Sequence, residues 1–338
     1  MPNLPEIRTV LLNKYGSCYK RAFVCLINKD NLYLTNELRT QKRMKLSYFT
    51  PVLSLFTMFS LCSFLLVQGC SDDKKDVCLN VMTFNIRMDT PADSLNSWSY
   101  RKDFAANIVK FHNVDIVGTQ EVLHNQLTDM LSSLPKYNYV GVGREDGKTK
   151  GEYSAILYRK DKFMVVESGD FWLAEDVKAV GEKGWDAACE RIATWAVFEE
   201  KESRKRFFML NTHFDHIGQV ARRESAMLIL KKANELSEGL PIIVTGDFNA
   251  VPGDEPIKII TDTKNEFYLT DSRSVAALRY GPDFSFHNFG RMPVEERSLI
   301  DYIFVKGDIK VLKNGVITDT EGCKYPSDHN PVMATVSF

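Results

Sequence analysis

Polar residues stand directly after several apolar, strand-like segments of this 338-residue chain. In the segment 241–249, PIIVTGDFN, an apolar run ends at Gly246 and is followed by Asp247 and Asn249. Alternate residues of an extended chain face the same side, so both polar groups can point into one pocket while Phe248 points into the core. Gly246 leaves room for the backbone to bend at the rim. The segment therefore predicts a carboxylate and a carboxamide held in register at a site.

Five further segments end in the same way. Their polar residues are Asn85, Gln120, Glu121, Asn211, His213, Asp215, Asp301, Asp328 and His329. One such residue alone is more often a turn or a helix cap than a ligand. In open α/β sheets, however, ligands bind beyond the strand ends. Six such ends in one chain predict a shared pocket.

The residue types in this pocket indicate its chemistry. Several carboxylates would repel each other unless a cation lay among them. The candidate ligands are oxygen atoms without a thiolate, which favours Mg²⁺, with Mn²⁺ as a second choice, over zinc. An Asp–His pair can orient an imidazole during proton transfer. Because the chain has no serine-nucleophile motif, glycine-rich phosphate loop or dinucleotide fingerprint, we predict metal-assisted hydrolysis of a phosphoester.

Alternating strand-like and helical segments position these residues. Apolar, β-branched runs predict strands at 78–86, 114–120, 154–158, 191–199, 206–214, 241–249, 299–305 and 332–338. Apolar residues at helical spacing predict a helix at 100–111, and the stretch 219–237, which lacks Gly and Pro, predicts another. Strands this apolar are buried on both faces, as in sheets covered by helices. Because no linker or repeat divides residues 78–338, we expect one α/β domain there.

The N-terminal part has a different composition. Residues 46–70 contain no Asp, Glu, Lys or Arg, and the stretch 44–69 has the basic start and apolar run of a secretory signal peptide. Its ending, VQGC, resembles a bacterial lipobox, in which Cys70 is lipidated and residues 70–77 form a tether. Residues 1–43 are then a misassigned start or a dispensable extension. We expect an exported protein, lipid-anchored at the outer membrane or cell surface; a retained membrane span is the alternative.

The distribution of charge argues against a protein that coats nucleic acid. Residues 1–45 hold nine of the 43 Lys and Arg residues and three of the 44 Asp and Glu residues. Residues 71–338 therefore hold 34 basic and 41 acidic side chains, a net charge of −7. A domain with this net charge has no broad positive surface that could attract a polyanion. Any phosphate must be met by a local site, with a cation.

Taken in order, the motifs TFNIR, TQEV, NTHFDH, GDFNAVPGDEP, SLIDYIFV and PSDHNPV resemble the endonuclease/exonuclease/phosphatase superfamily, which includes pancreatic deoxyribonuclease. The resemblance covers residues 78–338. It implies an α/β fold of the deoxyribonuclease-I type, a four-layered sandwich of two packed β-sheets flanked by helices. It also implies a Mg²⁺-dependent hydrolase of phosphoric esters, either a nuclease or exonuclease or a phosphatase.

The resemblance assigns roles to the strand-end residues. Glu121 would be the main metal ligand, with Asn85 and Asp328 beside it. The catalytic groups would be His213, Asp247, Asn249, Asp301 and His329. Asp247 would position or deprotonate the attacking water, and Asn249 would donate a hydrogen bond to the developing phosphorane.

The two histidines and the remaining polar residues complete this set. His329, paired with Asp301, would act as general base or bind a phosphoryl oxygen. His213 would contact the phosphate and protonate the leaving group. The substrate-binding residues would be Arg191, Asn211 and Asp215, although Arg191 as a surface charge at a strand start is an equal alternative.

The substrate is less well specified than the reaction. Trp172 and Trp185 lie in loop-rich stretches, where they either stack on a base or sugar or pack against the protein. We expect a small phosphodiester, a sugar or inositol phosphate, or a short single-stranded nucleic acid, and infer no protein partner. A sphingomyelinase-like phospholipid phosphodiesterase is the alternative that membrane tethering favours. A non-catalytic surface-binding lipoprotein would have lost site residues, and none is lost.

Overall fold

The computed structural model describes residues 76–338. The extension 1–43, the signal segment 44–69, the lipidation site Cys70 and most of the tether 70–77 lie outside the described residues, so what we predict for them stays a prediction. Within the described part, no helix is both long and apolar enough to cross a lipid bilayer.

Residues 76–338 contain thirteen β-strands and five α-helices. The strands are Cys78–Asn85 (β1), Ile116–Gln120 (β2), Tyr137–Val140 (β3), Ile156–Arg159 (β4), Phe163–Trp172 (β5), Ile192–Glu200 (β6), Arg206–His213 (β7), Ile242–Asp247 (β8), Thr270–Asp271 (β9), Leu278–Tyr280 (β10), Asp301–Lys306 (β11), Lys310–Val316 (β12) and Val332–Ser337 (β13). The α-helices are Trp98–Phe111 (α1), His124–Ser133 (α2), Gln219–Ser237 (α3), Glu255–Thr261 (α4) and Ser272–Val275 (α5).

The strands form two mixed sheets. One has the order β10-β12-β13-β1-β2-β4-β3, and the other β5-β6-β7-β8-β11-β9. In each sheet a parallel pair, β1–β2 or β7–β8, is flanked by an antiparallel strand, β13 or β11. The sheets pack against each other through these central strands. Helices α1 and α2 cover one outer face and α3 and α4 the other, which confirms the predicted α/β four-layered sandwich.

The central strands are apolar on both faces because each lies between two layers. In β1, Val81 belongs to the core between the sheets, whereas Met82 and Phe84 pack against α1 and α2. On the other side of the molecule, Ile229 and Leu230 of α3 join the core of the six-stranded sheet. The burial of this large, continuous set of apolar side chains is the main source of the domain's stability.

Gly246 lies inside β8 and not at a bend, so the predicted kink is wrong. It is paired with Tyr302 of β11 and with Thr212 of β7. A Cβ atom on Gly246 would lie 2.6 Å from the carbonyl oxygen of Thr212. The glycine is needed because two neighbouring backbones approach closely at this position.

The register of the central strands places the polar residues at one edge of the sandwich. Asn85, at the end of β1, pairs with Gln120 at the end of β2. His213, at the end of β7, pairs with Asp247 at the end of β8. Asp301 begins β11 opposite Asp247, because β11 runs antiparallel to β8. Five strands therefore place polar residues at the same edge.

Candidate active site

Most of the predicted site residues border one cleft, whose volume is about 730 Å³. They are Glu121, Arg191, His213, Asp247, Asn249, Asp328 and His329. Asn85 and Asp301 lie behind this surface and are almost fully buried. Each of them is hydrogen-bonded to a residue that borders the cleft, Asn85 to Asp247 and Asp301 to His329.

His329 is held among carboxylates. Its Nδ1 lies 2.8 Å from Asp301 Oδ2, and its Nε2 lies 3.8 Å from Asp247 Oδ2. Burial alone would lower the pKa of His329, but the neighbouring carboxylates, Asp301 above all, outweigh burial and raise it to about 10. The ring is therefore an imidazolium at neutral pH. In this state it can bind a phosphoryl oxygen but cannot accept a proton.

Asp247 has the surroundings of a general base. Its Oδ2 accepts a hydrogen bond from Asn85 Nδ2 over 2.9 Å, and its Oδ1 accepts one from the backbone N–H of Asn249 over 3.0 Å. Burial, followed by the negative charge of Asp301, raises the pKa of Asp247 to about 7. A carboxylate with a pKa near the working pH is well matched to deprotonating a water molecule.

His213 is a neutral imidazole. Burial and the positive charges of Arg191 and Arg144 hold its pKa well below the ordinary value. Asn249 Nδ2 donates to His213 Nε2 over 3.1 Å, so the ring proton lies on Nδ1. The neutral ring can donate a hydrogen bond to a phosphate. Protonating the leaving group would need the charged ring, which this environment disfavours.

Asn249 borders the cleft with a left-handed backbone, φ 47°, a conformation that Asn tolerates better than most residues. Its Nδ2 also donates to the carbonyl oxygen of Phe214 over 2.9 Å. Both amide N–H groups are thus engaged, one with Phe214 and one with His213. In this structure Asn249 fixes the orientation of His213, and it has no free N–H for the predicted bond to a phosphorane.

The three predicted metal ligands lie in one group around Arg87, a residue that the sequence analysis missed. Asn85 Nδ2 donates to Glu121 Oε1 over 3.1 Å. Arg87 Nη1 lies 3.5 Å from Glu121 Oε2, and its Nε lies 3.9 Å from Asp328 Oδ2. Asp93 holds the same guanidinium through two hydrogen bonds of 3.1 and 3.2 Å.

The charge balance of this part of the cleft fits a divalent cation. Four largely buried carboxylates face two cationic side chains, one of which is shared with Asp93. The carboxylates are those of Glu121, Asp247, Asp301 and Asp328, and the cations are Arg87 and His329. Burial raises the pKa of Asp328 as well as that of Asp247, as expected for carboxylates short of positive charge. A site in which carboxylates outnumber the neighbouring cations and the ligand atoms are oxygens suits Mg²⁺ or Mn²⁺.

A second cluster of possible ligand atoms overlaps this region. Atoms of Asp247, Asp301 and His329 lie within 4.8 Å of one another. His329 Nδ1 and Asp301 Oδ2 already engage each other over 2.8 Å, and Asp301 lies behind the cleft surface. This cluster is better described as a proton-sharing group, which leaves Glu121 and Asp328 as the candidate metal ligands on the cleft wall.

Asn211 does not contact the cleft, so its predicted role in substrate binding is wrong. Its side chain is fully buried between the two sheets. Oδ1 accepts hydrogen bonds from Gln120 Nε2 over 2.7 Å and from Thr245 Oγ1 over 2.9 Å. Nδ2 donates to the carbonyl oxygens of Thr119 and Ala155. The amide therefore joins β2, β7 and β8 inside the core.

Asp215 is also structural, contrary to prediction. Its Oδ1 accepts hydrogen bonds from the backbone N–H groups of Ile217 and Gly218, and its Oδ2 lies 3.4 Å from Arg191 Nε. Although burial opposes ionisation, these bonds hold the pKa of Asp215 below its usual range. Its ligand atom lies within 4.8 Å of those of Cys189 and His216, but its oxygens are already engaged.

Arg191 does border the cleft, as predicted, and Arg144 and Glu152 border it beside Arg191. Arg144 Nη1 donates to Glu152 Oε2 over 2.7 Å. Both residues come from the turn-rich segment 141–153, which has no motif in the sequence. The proximity of Arg144 to Arg191 arises only when that segment folds over the end of β6.

The two tryptophans pack against the protein. Trp172, at the end of β5, is 5% exposed, and its Nε1 donates to the carbonyl oxygen of Arg144 over 2.7 Å. Trp185 is partly buried against the core between the sheets. Trp172 thus supports the wall of the cleft and leaves no ring face free for a base or sugar. The cleft's apolar wall consists instead of residues that include Phe286, Met292 and Ile300.

Comparison with known proteins identifies a family and several relatives of this chain. A model of the endonuclease/exonuclease/phosphatase family matches residues 82–329. A solved structure of an endonuclease/exonuclease/phosphatase from Bacteroides vulgatus is 48% identical, with a TM-score of 0.74, and the match covers 77% of this chain and 98% of that one. A mannosyl-6-phosphatase from Bacteroides thetaiotaomicron is 42% identical, with a TM-score of 0.72, over 77% of this chain and 100% of that one.

A more distant relative has a different substrate. The CCR4-Not complex 3'-5'-exoribonuclease subunit Ccr4 of Mycosarcoma maydis is 25% identical in a match that covers 78% of this chain. The match covers 51% of that protein, so this chain spans about half the length of that relative.

Proposed function

This chain belongs to the endonuclease/exonuclease/phosphatase family, whose members hydrolyse phosphoester bonds, and we propose that it hydrolyses a small phosphate ester with the help of a divalent cation. The observation that carries this proposal is the convergence of Glu121, Asp328, Asp247 and His329 on one cleft. Attack of water on phosphorus needs three kinds of group. They are carboxylates that can bind a cation, a carboxylate with a pKa near 7 that can accept a proton, and an imidazolium that can bind a phosphoryl oxygen.

Each side chain has a defined part in the proposed reaction. Glu121 and Asp328, supported by Asn85, would hold Mg²⁺ or Mn²⁺, and the cation would screen the negative charge of the phosphate. Asp247 accepts a proton from the attacking water as the water oxygen bonds to phosphorus. The P–O bond to the leaving group breaks, and the leaving oxygen takes a proton from solvent. His329, kept charged by Asp301, binds a phosphoryl oxygen. Positioning and electrostatic stabilisation of this kind supply most of the rate acceleration in phosphoryl transfer.

The relatives suggest two kinds of substrate. The mannosyl-6-phosphatase relative favours a sugar phosphate, and the exoribonuclease relative favours a short single strand. The net charge of −7 in residues 71–338 favours the small ester. A phospholipid phosphodiesterase remains the alternative if the chain is membrane-anchored.

Hydrolysis of p-nitrophenyl phosphate, bis-p-nitrophenyl phosphate and a short fluorescent RNA tests the proposal. The purified protein is assayed with Mg²⁺, with Mn²⁺ and with EDTA. We expect turnover that requires the metal and falls by about 10²- to 10⁴-fold in Asp247→Ala and in His329→Ala. Lys148→Gln, an exposed change of charge, serves as the matched control. A folded protein that binds no metal would contradict the proposal.

A further inference from the structure

Arg144, Arg191 and His213 form a donor-rich end of the cleft, beside Glu152, that the reaction above does not use. All three border the cleft and also a narrow crevice beside it. Both arginines shape the properties of His213, because their charges help to keep its ring neutral. His213 Nε2 in turn lies 3.6 Å from Asp247 Oδ2. This donor-rich end therefore adjoins the carboxylate that would activate water.

Each arginine is fixed on one side and unpaired on another. Arg144 is held by Glu152 through Nη1, and its backbone is held by Trp172. Arg191 Nε is paired with Asp215. Among the described residues, Arg144 Nε, Arg191 Nη1 and His213 Nδ1 are buried without a hydrogen-bond partner. Three unpaired N–H groups at one place are unusual in a folded protein and call for an acceptor.

The number of donors distinguishes between phosphate esters. A phosphomonoester has three non-bridging oxygens and nearly two negative charges at neutral pH, whereas a phosphodiester has two such oxygens and one charge. The carboxylate side of the cleft, with a cation and His329, can bind two oxygens. A site that offers further buried donors discriminates against an analogue lacking the matching acceptor. The third oxygen of a monoester is that acceptor.

We infer that Arg144, together with Arg191, binds the terminal phosphoryl group of the substrate and selects phosphomonoesters over phosphodiesters. The inference rests on the proposed phosphoesterase function and names its substrate class. Arg144 is the specificity-determining residue of the pair, because it borders the cleft, its side chain is 13% exposed, and only Nη1 of its guanidinium makes a hydrogen bond to another side chain. Arg191, at 5% exposure, is more deeply buried against Asp215.

The test compares two substrates that share a leaving group, p-nitrophenyl phosphate and bis-p-nitrophenyl phosphate. The wild-type chain is expected to prefer the monoester. Arg144→Gln is expected to reduce kcat/KM for the monoester by about 10- to 100-fold, the effect of losing a hydrogen bond to a charged group, and to change kcat/KM for the diester by less than about threefold. Lys150→Gln, an exposed residue on the same segment, makes the same change of charge and should alter neither value.

Two further measurements keep the inference falsifiable. Arg144→Lys retains the positive charge but lacks the planar guanidinium. Its kcat/KM for the monoester should therefore fall less than that of Arg144→Gln. Inorganic phosphate should raise the melting temperature of the wild type more than that of Arg144→Gln, whether or not either ester is turned over. Equal losses on both esters, a wild-type preference for the diester, or phosphate stabilisation that does not depend on Arg144 would overturn the inference. Absence of turnover on both esters, with Arg144-dependent phosphate binding, would instead contradict the proposed reaction.

Discussion

Asp301 and Asp247 both lie beside His329, yet their positions give them different parts in the chemistry. Asp301 lies behind the ring and accepts the Nδ1 hydrogen bond over 2.8 Å. Asp247 borders the cleft, where a substrate or water can reach it. The same negative charge of Asp301 helps to keep His329 protonated and to raise the pKa of Asp247. One buried carboxylate thus prepares both the charged ring and the neighbouring base.

Asn211→Ala tests whether this buried amide is structural. The substitution removes the nearest acceptor of Gln120 Nε2 and of Thr245 Oγ1, and it removes the donor to the carbonyl oxygens of Thr119 and Ala155. Unsatisfied buried groups and the small cavity should lower the free energy of unfolding by about 2 to 4 kcal/mol. Denaturant unfolding measures this change, and steady-state kinetics on the folded fraction should show a KM within about twofold of the wild type. A KM increase of tenfold or more with unchanged stability would restore the substrate-binding role.

At the scale of elements, Arg101 of α1 connects the loops that carry two sides of the cleft. Its guanidinium is 3% exposed and donates to the carbonyl oxygens of Arg87 and Pro326, over 2.7 and 3.2 Å. It also stacks on Trp98, with 5.1 Å between the guanidinium carbon and the ring centroid. Burial lowers the pKa of Arg101 to about 10, which leaves it charged at neutral pH.

Arg101→Met should therefore affect both stability and activity. The methionine retains part of the packing volume but leaves several carbonyl oxygens without a donor. We expect a loss of about 3 kcal/mol in the free energy of unfolding and a lower kcat, because Arg87 and Asp328 lose a shared support. Chemical denaturation and kinetics measure these effects. Lys102→Gln changes a half-buried neighbour whose ammonium lies 3.5 Å from Asp129, and should stay within about 0.5 kcal/mol of the wild type. Equal effects of both variants would contradict the role of Arg101.

Asp170 on β5 should make stability depend on pH. Burial raises the pKa of Asp170 to about 6, above the ordinary value of 3.8, although Thr194 Oγ1 donates to it over 2.6 Å. Because the folded-state pKa is the higher one, the unfolded chain loses the proton first, and stability falls as pH rises from about 4 to about 6. Asp170→Asn removes this penalty while keeping an acceptor for Thr194.

Thermal unfolding of Asp170→Asn at two pH values tests this prediction. We expect stabilisation of about 1 kcal/mol at about pH 7.5, after allowance for the partial exposure of the side chain, and a much smaller effect at about pH 4. Asp161→Asn is the matched control, since the partner Arg159 lowers the pKa of Asp161. The control should give no gain at either pH. A gain for Asp170→Asn that is equal at both pH values would contradict the assignment.

Elements with strong apolar patterns were predictable from the sequence, and those with a polar face were not. All eight predicted strands exist, and α3 has the predicted bounds, Gln219–Ser237. The strand β5 was missed because its central residues are largely exposed and mostly polar, the pattern of a strand at a sheet edge. The helix α2 was missed because it is short and mainly polar. Apolar sequence patterns indicate which residues are buried, and β5 and α2 bury few apolar side chains.

The same limit applies to the candidate site. A polar residue at a strand end indicates the correct edge of the sheet, but not which side of the strand meets solvent. Asn211 and Asn249 illustrate this, since only Asn249 reaches the cleft. Arg144 was missed because its neighbour Arg191 is 47 positions away in the sequence. Only the packing of the two sheets determines these outcomes.

At the scale of the whole molecule, the distribution of charge and the N-terminal segment suggest where the enzyme works. The domain's net charge of −7 in residues 71–338 is unfavourable for long polyanions and neutral toward small esters. Substrates of this size would reach an enzyme on the outside of a cell envelope by diffusion. The proposed site and the proposed location are therefore compatible, although each depends on different residues.

The lipid anchor at Cys70 can be tested separately from the chemistry. The full-length chain, expressed in a Gram-negative host with a labelled fatty acid, should incorporate the label and fractionate with membranes, because two or three acyl chains hold a protein on a bilayer stably. Cys70→Ser should abolish labelling and leave the hydrolytic activity unchanged, since the catalytic domain does not include this residue. Cys78→Ser is the matched control, an exposed free cysteine at the start of β1, and should retain both label and membrane association. Label that persists in Cys70→Ser, or a wild type without label, would contradict the lipoprotein assignment and favour a retained membrane span at 46–67.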